Sequence, residues 1–503
     1  MPYQTTSDTK SFHEQVTHIP EPAGIYLNEY RNKVNYMESI AVFLRKVDDI
    51  VWGPYMLIFL LGTGIYLMVR MRFLPIKNLG YALKCAIGMD SSKTSVKPGT
   101  GSGDISPFSS LMTELAATIG TGNIVGVATA MVLGGPGALI WMLVSSVIGL
   151  STKLAESMLA VKYRTCNLRG EISGGPMYTL QNAFPNKWLG KKLGFLYALF
   201  AVMASFGMGN MTQSNSIAAA LDAAFQIPAA KTGIWITILT ILVVLGGIGT
   251  ISKVTQIVVP TMAVFYMVGA LAVIVTNLEN LPAGLGMIFS MAFSPRAISG
   301  GVGGSIVASM QQAMRWGVSR GVFSNEAGLG AAGISAAAAN TNDPVRQGYI
   351  SMTGIFFDTI VICTVTGLAL AASGILGMTD ETGSLITGTE LTIAAFSTTF
   401  GSLGGYLVSI GIVLFAFATI IGWAYQGEKA FEFLVKKPKY CLAYRFTYGL
   451  ITFVGAVCSL DVVWDFSDIM NGLMAIPNLI CLLVLSGGVC REIKQYEIKR
   501  KCR

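Results

Sequence analysis

The sequence predicts an all-α polytopic membrane protein, and three observations support that fold class. Of the 503 residues, 52% are hydrophobic and 12% are charged, whereas about a quarter of the residues in soluble globular proteins carry charge. Uninterrupted apolar runs, each near the roughly 20 residues that a membrane-spanning helix needs, lie at 50–69, 232–251, 254–278 and 469–490. Runs of this length also exclude an outer-membrane barrel, whose strands alternate in polarity over about 10 residues.

The apolar runs and the residues that interrupt them predict eleven spans. A polar N-terminal tail (1–48) precedes an extra N-terminal helix at 49–70, and a cytoplasmic loop follows at 71–105. The other ten spans form a first five-helix repeat (106–278) and a second (279–490), followed by a basic cytoplasmic tail (491–503). Their predicted bounds are 106–133, 137–162, 191–223, 232–250, 254–278, 298–320, 347–376, 401–432, 442–460 and 466–489. Because each repeat has an odd number of spans, the repeats are inverted relative to each other, as in several secondary transporters.

The formal net charge of +8 is explained by membrane topology. Lysine and arginine lie in short loops rather than in a separate basic domain, which argues against a nucleic-acid partner. They are concentrated in alternate loops, and cytoplasmic loops carry this excess. The pattern predicts a multi-pass protein of the cell membrane with its N-terminus outside and its C-terminus in the cytoplasm. It also places Arg315, Arg320 and Arg346 on the cytoplasmic side.

The stretch "IGTGN" (119–123) predicts a break in the first span of the first repeat. Gly120 and Gly122 flank Thr121, and glycine costs about 1 kcal/mol relative to alanine in a helix. Unwound backbone inside a membrane survives where it is buried in protein or lines a polar cavity. There, N–H groups from Asn123 onward can bind a carboxylate, while carbonyl, Thr and Asn oxygens can hold Na⁺. The alternative for the glycines alone is close helix packing.

A second break is predicted at the matching place in the second repeat. The first span of that repeat contains "SGGVGGS" (299–305), and "RWGVSRG" (315–321) follows. Paired glycine-interrupted spans mark the binding site in transporters built from inverted repeats. Nearby, the residues at 324–326 have the polar character of a helix cap.

Two carboxylates, Glu114 and Asp358, lie deep in predicted spans. A charge near the bilayer centre costs at least about 2.5 kcal/mol, so each should face a partner, an ion path or a cavity. For Asp358 the open alternative is a structural pair with Arg315. Asn210 and Gln213 in "FGMGNMTQSN" either join helices by hydrogen bonds or line a substrate cavity.

Two further side chains belong to the stretch 407–431. The Thr419 hydroxyl could ligate a cation. Trp423 could wall a cavity or mark the membrane interface, where tryptophan is enriched.

The sequence lacks residues that several classes of enzyme need for catalysis. Both histidines, His13 and His18, lie in the N-terminal tail, and the eight cysteines form no C-x-x-C pair. No G-x-x-x-x-G-K-[ST] occurs, which argues against a P-loop ATPase. We therefore expect a protein that is not an enzyme and that draws its energy from an ion gradient.

The chain resembles the alanine/glycine:cation symporter family, also called sodium:alanine symporters, over about residues 45–490. The motifs that carry the resemblance are "ATIGTGNIVGVATA", "GGPGALIWM", "GGPMYTLQNAF", "GNMTQSNSIA", "RWGVSRGVFSNEAGLG", "DPVRQG" and "GWAYQGEKAFEFL". The resemblance implies a LeuT-type 5+5 inverted repeat with one extra N-terminal helix. It also implies uptake of small neutral amino acids, chiefly alanine and glycine, coupled to Na⁺, or to H⁺ in some members, by alternating access.

The resemblance also implies roles for individual residues. It places Thr121 and Gly122, with Gly120 at the same break, at the substrate carboxylate. It puts Gln213 in the substrate pocket and Trp423 where the pocket closes. The predicted Na⁺ ligands are Asn123, Glu114 and Thr419, with Glu114 more a member of the supporting network than a ligand. No obligatory protein partner is expected. The rival hypotheses are a passive channel and a transporter-like sensor.

Overall fold

The computed structural model describes residues 42–89, 103–295, 297–299, 306–458 and 461–502. Residues 1–41 of the predicted N-terminal tail and residues 90–102 of the predicted loop at 71–105 lie outside these residues. The described residues are almost entirely helical, with two short hairpins of β-strands.

The helices of the first half begin with α1 (Pro54–Arg70), which a helical stretch from residue 42 precedes. The others are α2 (Leu74–Lys77), α3 (Leu79–Ala86), α4 (Pro107–Thr118), α5 (Val125–Leu133), α6 (Ala138–Lys162), α7 (Pro176–Ala183), α8 (Lys187–Phe206), α9 (Thr212–Phe225), α10 (Ala229–Leu245) and α11 (Gly247–Thr276). Strands β1 (Thr165–Cys166) and β2 (Ile172–Ser173) form an antiparallel hairpin after α6.

The second half repeats the plan of an interrupted helix followed by four longer ones. Its helices are α12 (Leu281–Phe293), α13 (Met310–Asn325), α14 (Ala331–Ala337), α15 (Pro344–Ile355), α16 (Thr364–Ala372), α17 (Gly388–Phe400), α18 (Leu403–Val435), α19 (Cys441–Val457) and α20 (Asp461–Lys501). π-Helical turns join α8 to α9 (Gly207–Met211) and α15 to α16 (Phe356–Cys363). The segment predicted as a separate basic tail continues α20 to Lys501.

Eight continuous helices in the described residues are long and apolar enough to cross a membrane. The shorter apolar helix Ala229–Leu245 and the two interrupted helices fall below that length. The helical membrane fold is therefore confirmed, while the count of eleven spans stays a prediction.

The break in the first core helix lies where the glycines predict it. Helix α4 starts with a Ser106 cap, whose hydroxyl accepts from the Ser109 N–H at 3.0 Å, and it ends at Thr118. A single 3₁₀ turn (Thr121–Asn123) separates it from α5. Gly120, just before that turn, has an extended backbone. This segment is fully buried in protein, which is the condition for unwound backbone at membrane depth.

The predicted position of the second break is wrong. Strands β3 (Ala297–Ser299) and β4 (Ile306–Ala308) pair antiparallel on either side of the glycine-rich stretch, whose residues 300–305 lie outside the described residues. The second motif, "RWGVSRG", lies within continuous α13. The chain unwinds later, at 326–330, where Glu326, Gly328 and Gly330 all have positive φ. The polar residues at 324–326 therefore end a helix, and the short α14 follows the break.

Gly317 shows why glycine content alone misplaced this break. A Cβ at Gly317 would overlap the carbonyl oxygen of Ala138 on α6. The glycine therefore allows two helices to approach closely, as small residues do in membrane helices, and the backbone stays helical.

The placement of Arg315 and Arg320 beside Arg346 is also wrong. Arg315 forms an ion pair with Asp49, before the N-terminal end of α1. Arg346, by contrast, lies in the first turn of α15, three residues before Tyr349, whose hydroxyl accepts a hydrogen bond from Asn78, beyond the C-terminal end of α1. The two arginines and Arg346 thus lie at opposite ends of the bundle, and the orientation of the termini stays a prediction.

Substitutions at two glycines, Gly422 and Gly126, test how closely α18 packs against the interrupted helix. A Cβ at Gly422 of α18 would lie 2.6 Å from the backbone nitrogen of Ala117 on α4, whereas a Cβ at Gly126 of α5 would meet nothing within 4 Å. We predict that Gly422→Ala destabilises the fold by about 1–3 kcal/mol through overpacking and that Gly126→Ala does not. Thermal unfolding of the detergent-solubilised protein measures both. Equal melting temperatures for the two variants would contradict this packing.

Candidate functional site

The first break is held in shape by the side chain of Asn123. Its Oδ1 accepts a hydrogen bond from the Gly120 N–H at 2.9 Å, and the Asn123 N–H donates to the Gly120 carbonyl at 3.2 Å. This reciprocal pair closes the turn around Thr121 and Gly122. Thr121 and Asn123 are 1% and 0% exposed, so the turn is sealed from water in this conformation.

A polar contact joins the turn to the helix pair α8–α9. The Thr121 hydroxyl donates to Gln213 Oε1 at 3.1 Å, and Gln213 Nε2 donates to the Met208 carbonyl at 3.0 Å. That carbonyl lies in the π turn, a distortion that is frequent at functional sites. Asn210, the other amide singled out, donates to the Tyr448 carbonyl at 2.7 Å and so joins two helices. The structure therefore brings Gln213, and not Asn210, to the break.

Helix α18 approaches the same turn with Thr419. The Thr419 hydroxyl bonds to the carbonyls of Phe415 at 3.1 Å and Ile119 at 3.4 Å. A Cβ at Gly120 would overlap this hydroxyl, so a side chain at position 120 would push the two helices apart. The geometry thus explains a glycine at this position.

One helical turn after Thr419, Trp423 is completely buried. Its side chain covers Gly209 in the π turn, where a Cβ would overlap the indole. Gln213 and Thr419 therefore contact the first break from two helices that are distant in sequence, and Trp423 packs on the π turn just before Gln213.

The carboxylate of Asp358 links the first break to the second interrupted helix. Asp358 Oδ1 accepts from Asn123 Nδ2 at 2.8 Å and from the Ser324 hydroxyl at 3.1 Å. Oδ2 accepts from Ser324 at 3.0 Å and from Thr359 at 2.6 Å. Asp358 is 0% exposed. The alternative of a pair with Arg315 is wrong, since Arg315 contacts Asp49.

Sequence reasoning flagged Asp358 as a buried carboxylate but left it out of the site. The signal that was available is its isolation in an apolar run, which is costly for a charge. Its contact with Asn123 joins residues 235 positions apart, so spacing along the chain cannot reveal it.

Glu114 faces away from the break. Its carboxylate lies 3.3 Å from the ammonium of Lys153 on α6, and both side chains are 0% exposed. Lys153 also donates to the Asn325 carbonyl at 2.9 Å, at the end of α13. Glu114 thus takes part in an ion pair that connects α4, α6 and α13, and it does not reach the turn at 120–123.

Contacts close the bundle at both ends of the interrupted helices. At one end Arg320 of α13 pairs with Asp468 of α20 at 3.1 Å. At the other end Lys429 of α18 lies 3.0 Å from Glu432 and 3.3 Å from Glu171 in the β1–β2 hairpin. Asp104 accepts from the backbone of the same hairpin at 3.0 Å, and burial raises the pKa of its carboxyl.

Comparison with known proteins agrees with this architecture. Residues 37–503 match the Sodium:alanine symporter family. The chain is 50% identical over 458 residues to the sodium/alanine symporter AgcS of Methanococcus maripaludis, which covers 90% of this chain and 97% of that protein. It is 34% identical over 457 residues to the probable sodium/glutamine symporter GlnT of Bacillus subtilis, covering 90% of each. It is 32% identical over 473 residues to the putative sodium/proton-dependent alanine carrier YrbD of Bacillus subtilis, covering 92% and 93%.

A solved structure shows the same fold at low sequence identity. MhsT in complex with L-phenylalanine superposes with a TM-score of 0.56 at 15% identity, over 76% of this chain and 89% of MhsT. MhsT is a LeuT-type protein, so the predicted LeuT-type fold is confirmed. With a family match over residues 37–503 and half of the 458 aligned residues identical to those of AgcS, the protein belongs to the sodium:alanine symporter family.

Proposed function

We propose that the protein is a secondary active symporter that couples inward Na⁺ flux to the uptake of small neutral amino acids, chiefly alanine and glycine. The observation that carries this proposal is the buried turn at 120–123, on which polar side chains from separate helices converge. Its membership of the family and its 50% identity to a sodium/alanine symporter support Na⁺ and alanine. The likeness to the probable glutamine symporter is lower, at 34%.

The substrate carboxylate would bind at the turn itself. The Thr121 hydroxyl and the Gly122 N–H lie in the turn just before α5, and helix N-termini attract anions. Gln213, already bonded to Thr121, would exchange that contact for one with the substrate. The indole of Trp423 would close the pocket beside the substrate side chain, which favours a small amino acid.

The coupling Na⁺ would bind at the carboxylate of Asp358, beside Asn123, whose Nδ2 donates to that carboxylate. Hard cations prefer oxygen ligands, and Asp358 supplies the negative charge at the edge of the break. The Ile119 carbonyl and the Thr419 hydroxyl, 3.4 Å apart, offer a second group of oxygens on the other side of Gly120. Glu114 is not included, because Lys153 neutralises it.

Coupling would follow from the double role of Asn123. The same side chain caps the turn that would bind the substrate and contacts the carboxylate that would bind the ion. An ion that fixes Asn123 therefore lowers the ordering cost of the substrate site, and linkage makes the effect reciprocal. Alternating access would move the two interrupted helices relative to the others and open the closing contacts at one end at a time.

Uptake into proteoliposomes tests the function. We expect labelled alanine to accumulate above its equilibrium level when an inward Na⁺ gradient is imposed, and glycine to compete with it better than glutamine. Without the gradient, uptake should stop at equilibrium. Accumulation that is independent of Na⁺ would remove the coupling proposal, and rapid non-saturable equilibration would favour a passive channel.

Alanine substitutions of Thr121 and Gln213 test the substrate site. Each should weaken alanine binding by about 1–3 kcal/mol, which corresponds to roughly 5- to 150-fold, because each removes a buried hydrogen-bonding group. Asn215→Ala is the matched control, since Asn215 lies on the same helix as Gln213 but donates to the Cys458 carbonyl at 3.1 Å. Binding is measured by isothermal calorimetry at saturating Na⁺. Unchanged affinity in both test variants would refute the assignment.

Asp358→Asn tests the cation site. The amide keeps the size of the side chain but removes its charge, so we expect the Na⁺ concentration for half-maximal alanine uptake to rise at least about tenfold, equivalent to 1.4 kcal/mol. Asp380→Asn serves as a control, because Asp380 lies in an exposed turn and bonds to its neighbours Thr382 and Ser384. A normal Na⁺ dependence in Asp358→Asn would place the ion elsewhere.

A further inference from the structure

A buried carboxylate at the second break has no role in the proposed symport mechanism. Glu326 is the first residue of that break, with a left-handed backbone (φ 57°) and an N–H that donates to the Val322 carbonyl at 2.8 Å. The side chain is 0% exposed. Neither carboxyl oxygen has a hydrogen-bond partner among the residues that the structure describes.

The groups that face Glu326 come from several different elements. Lys153 on α6, Glu114 on α4 and Asp358 in the second π turn act on it through their charges, and the Trp423 indole on α18 lies within reach of its carboxyl. Tyr197 on α8 lies close enough to Glu326 and Glu156 to interact with the charges of both. Four carboxyls therefore surround one ammonium, that of Lys153.

The partners of the other carboxyls are assigned. Glu114 lies 3.3 Å from Lys153, and Asp358 accepts from Asn123, Ser324 and Thr359. Glu156 accepts from Asn478 Nδ2 at 2.8 Å. Glu326 has the same burial and no such donor within the described parts of the chain.

A buried charge without a partner costs several kcal/mol even after relaxation. A carboxyl group avoids that cost by holding a proton. Glu326 is the member of the cluster that has neither an ion pair nor a hydrogen bond formed in the described residues, so the cost of a charge is greatest there.

We infer that Glu326 is a proton-binding site, occupied in the closed arrangement and emptied when the second break moves. On release, the O–H bond of the carboxyl breaks, the proton passes to water that enters as the helices part, and the electron pair stays on the carboxylate oxygen. The ligand is the proton itself, at a place separate from the turn at 120–123 and from Asp358.

Two buried hydrogen-bond donors could stabilise the carboxylate form of Glu326. The Trp423 N–H and the Tyr197 hydroxyl are both 0% exposed, and neither has a hydrogen-bond partner within the described residues. Once the proton leaves, the Glu326 carboxylate would draw in the indole N–H. This movement would connect the proton to closure of the substrate pocket, a step that rests on the proposed function, whereas the proton site itself does not.

Infrared difference spectroscopy of the purified full-length protein, titrated from acid to alkaline pH, tests the inference without any transport measurement. The wild type should show the C=O stretch of a protonated carboxyl at neutral pH that disappears on alkalinisation. Glu326→Gln should lose this component, and the matched variant Glu156→Gln should retain it. Absence of the band in the wild type, or its persistence in Glu326→Gln, would overturn the inference.

A second variant keeps the test decisive if Glu326→Gln does not fold. Trp423→Phe removes the N–H that would stabilise the carboxylate, so the band should persist to a pH about one unit higher, equivalent to one charge-assisted hydrogen bond. A titration identical to wild type would contradict the pairing with Trp423. A normal proton band with no Na⁺-driven uptake would remove the proposed function and leave the proton site standing.

Discussion

The candidate site depends on two hydrogen bonds made by the side chain of Asn123. Its oxygen accepts from the Gly120 N–H and closes the unwound turn, and its nitrogen donates to Asp358 in the second repeat. Both bonds are buried, where a lost partner leaves a polar group unsatisfied at a cost of about 1–3 kcal/mol. One amide therefore fixes the local shape of the first break and its distance from the only described carboxylate that touches it.

Glycine at the break serves two physical needs at once. Gly120 permits the extended backbone between α4 and the 3₁₀ turn, and the absence of a Cβ leaves room for the Thr419 hydroxyl. At Gly317 and Gly422 the same residue type serves helix contact alone. Membrane helices gain little from apolar burial against lipid, so close backbone approach through small residues is a main source of their packing. A glycine in an apolar run is thus ambiguous until its neighbours are known.

This ambiguity explains which parts of the architecture were predictable. The helical membrane class follows from composition and run length, and the first break follows from two glycines around a β-branched residue within five positions. The second break was misplaced because the richer glycine cluster lies between the strands β3 and β4, ahead of α13, while the true break has an acidic residue and two spaced glycines with positive φ. The Asp358 contact and the isolation of Glu326 depend on packing between distant helices, which no local pattern encodes.

The helix that ends at Arg70 has a consequence for biosynthesis. Trp52, just before α1, donates to the Asp468 carbonyl at 3.0 Å, and Arg70 donates to Ser486 at 3.2 Å, so both ends of this helix rest on α20, more than 400 residues later in the chain. Helix α1 also packs on α6, where the Ser151 hydroxyl donates to the Gly64 carbonyl at 2.8 Å, but its contacts with α20 can form only after α20 has been synthesised. During that interval the part of α1 that α20 covers is accessible to lipid, to chaperones or to quality-control proteases, as the surfaces of incompletely assembled chains generally are. The position of α1 is therefore fixed by contacts between segments that are synthesised more than 400 residues apart.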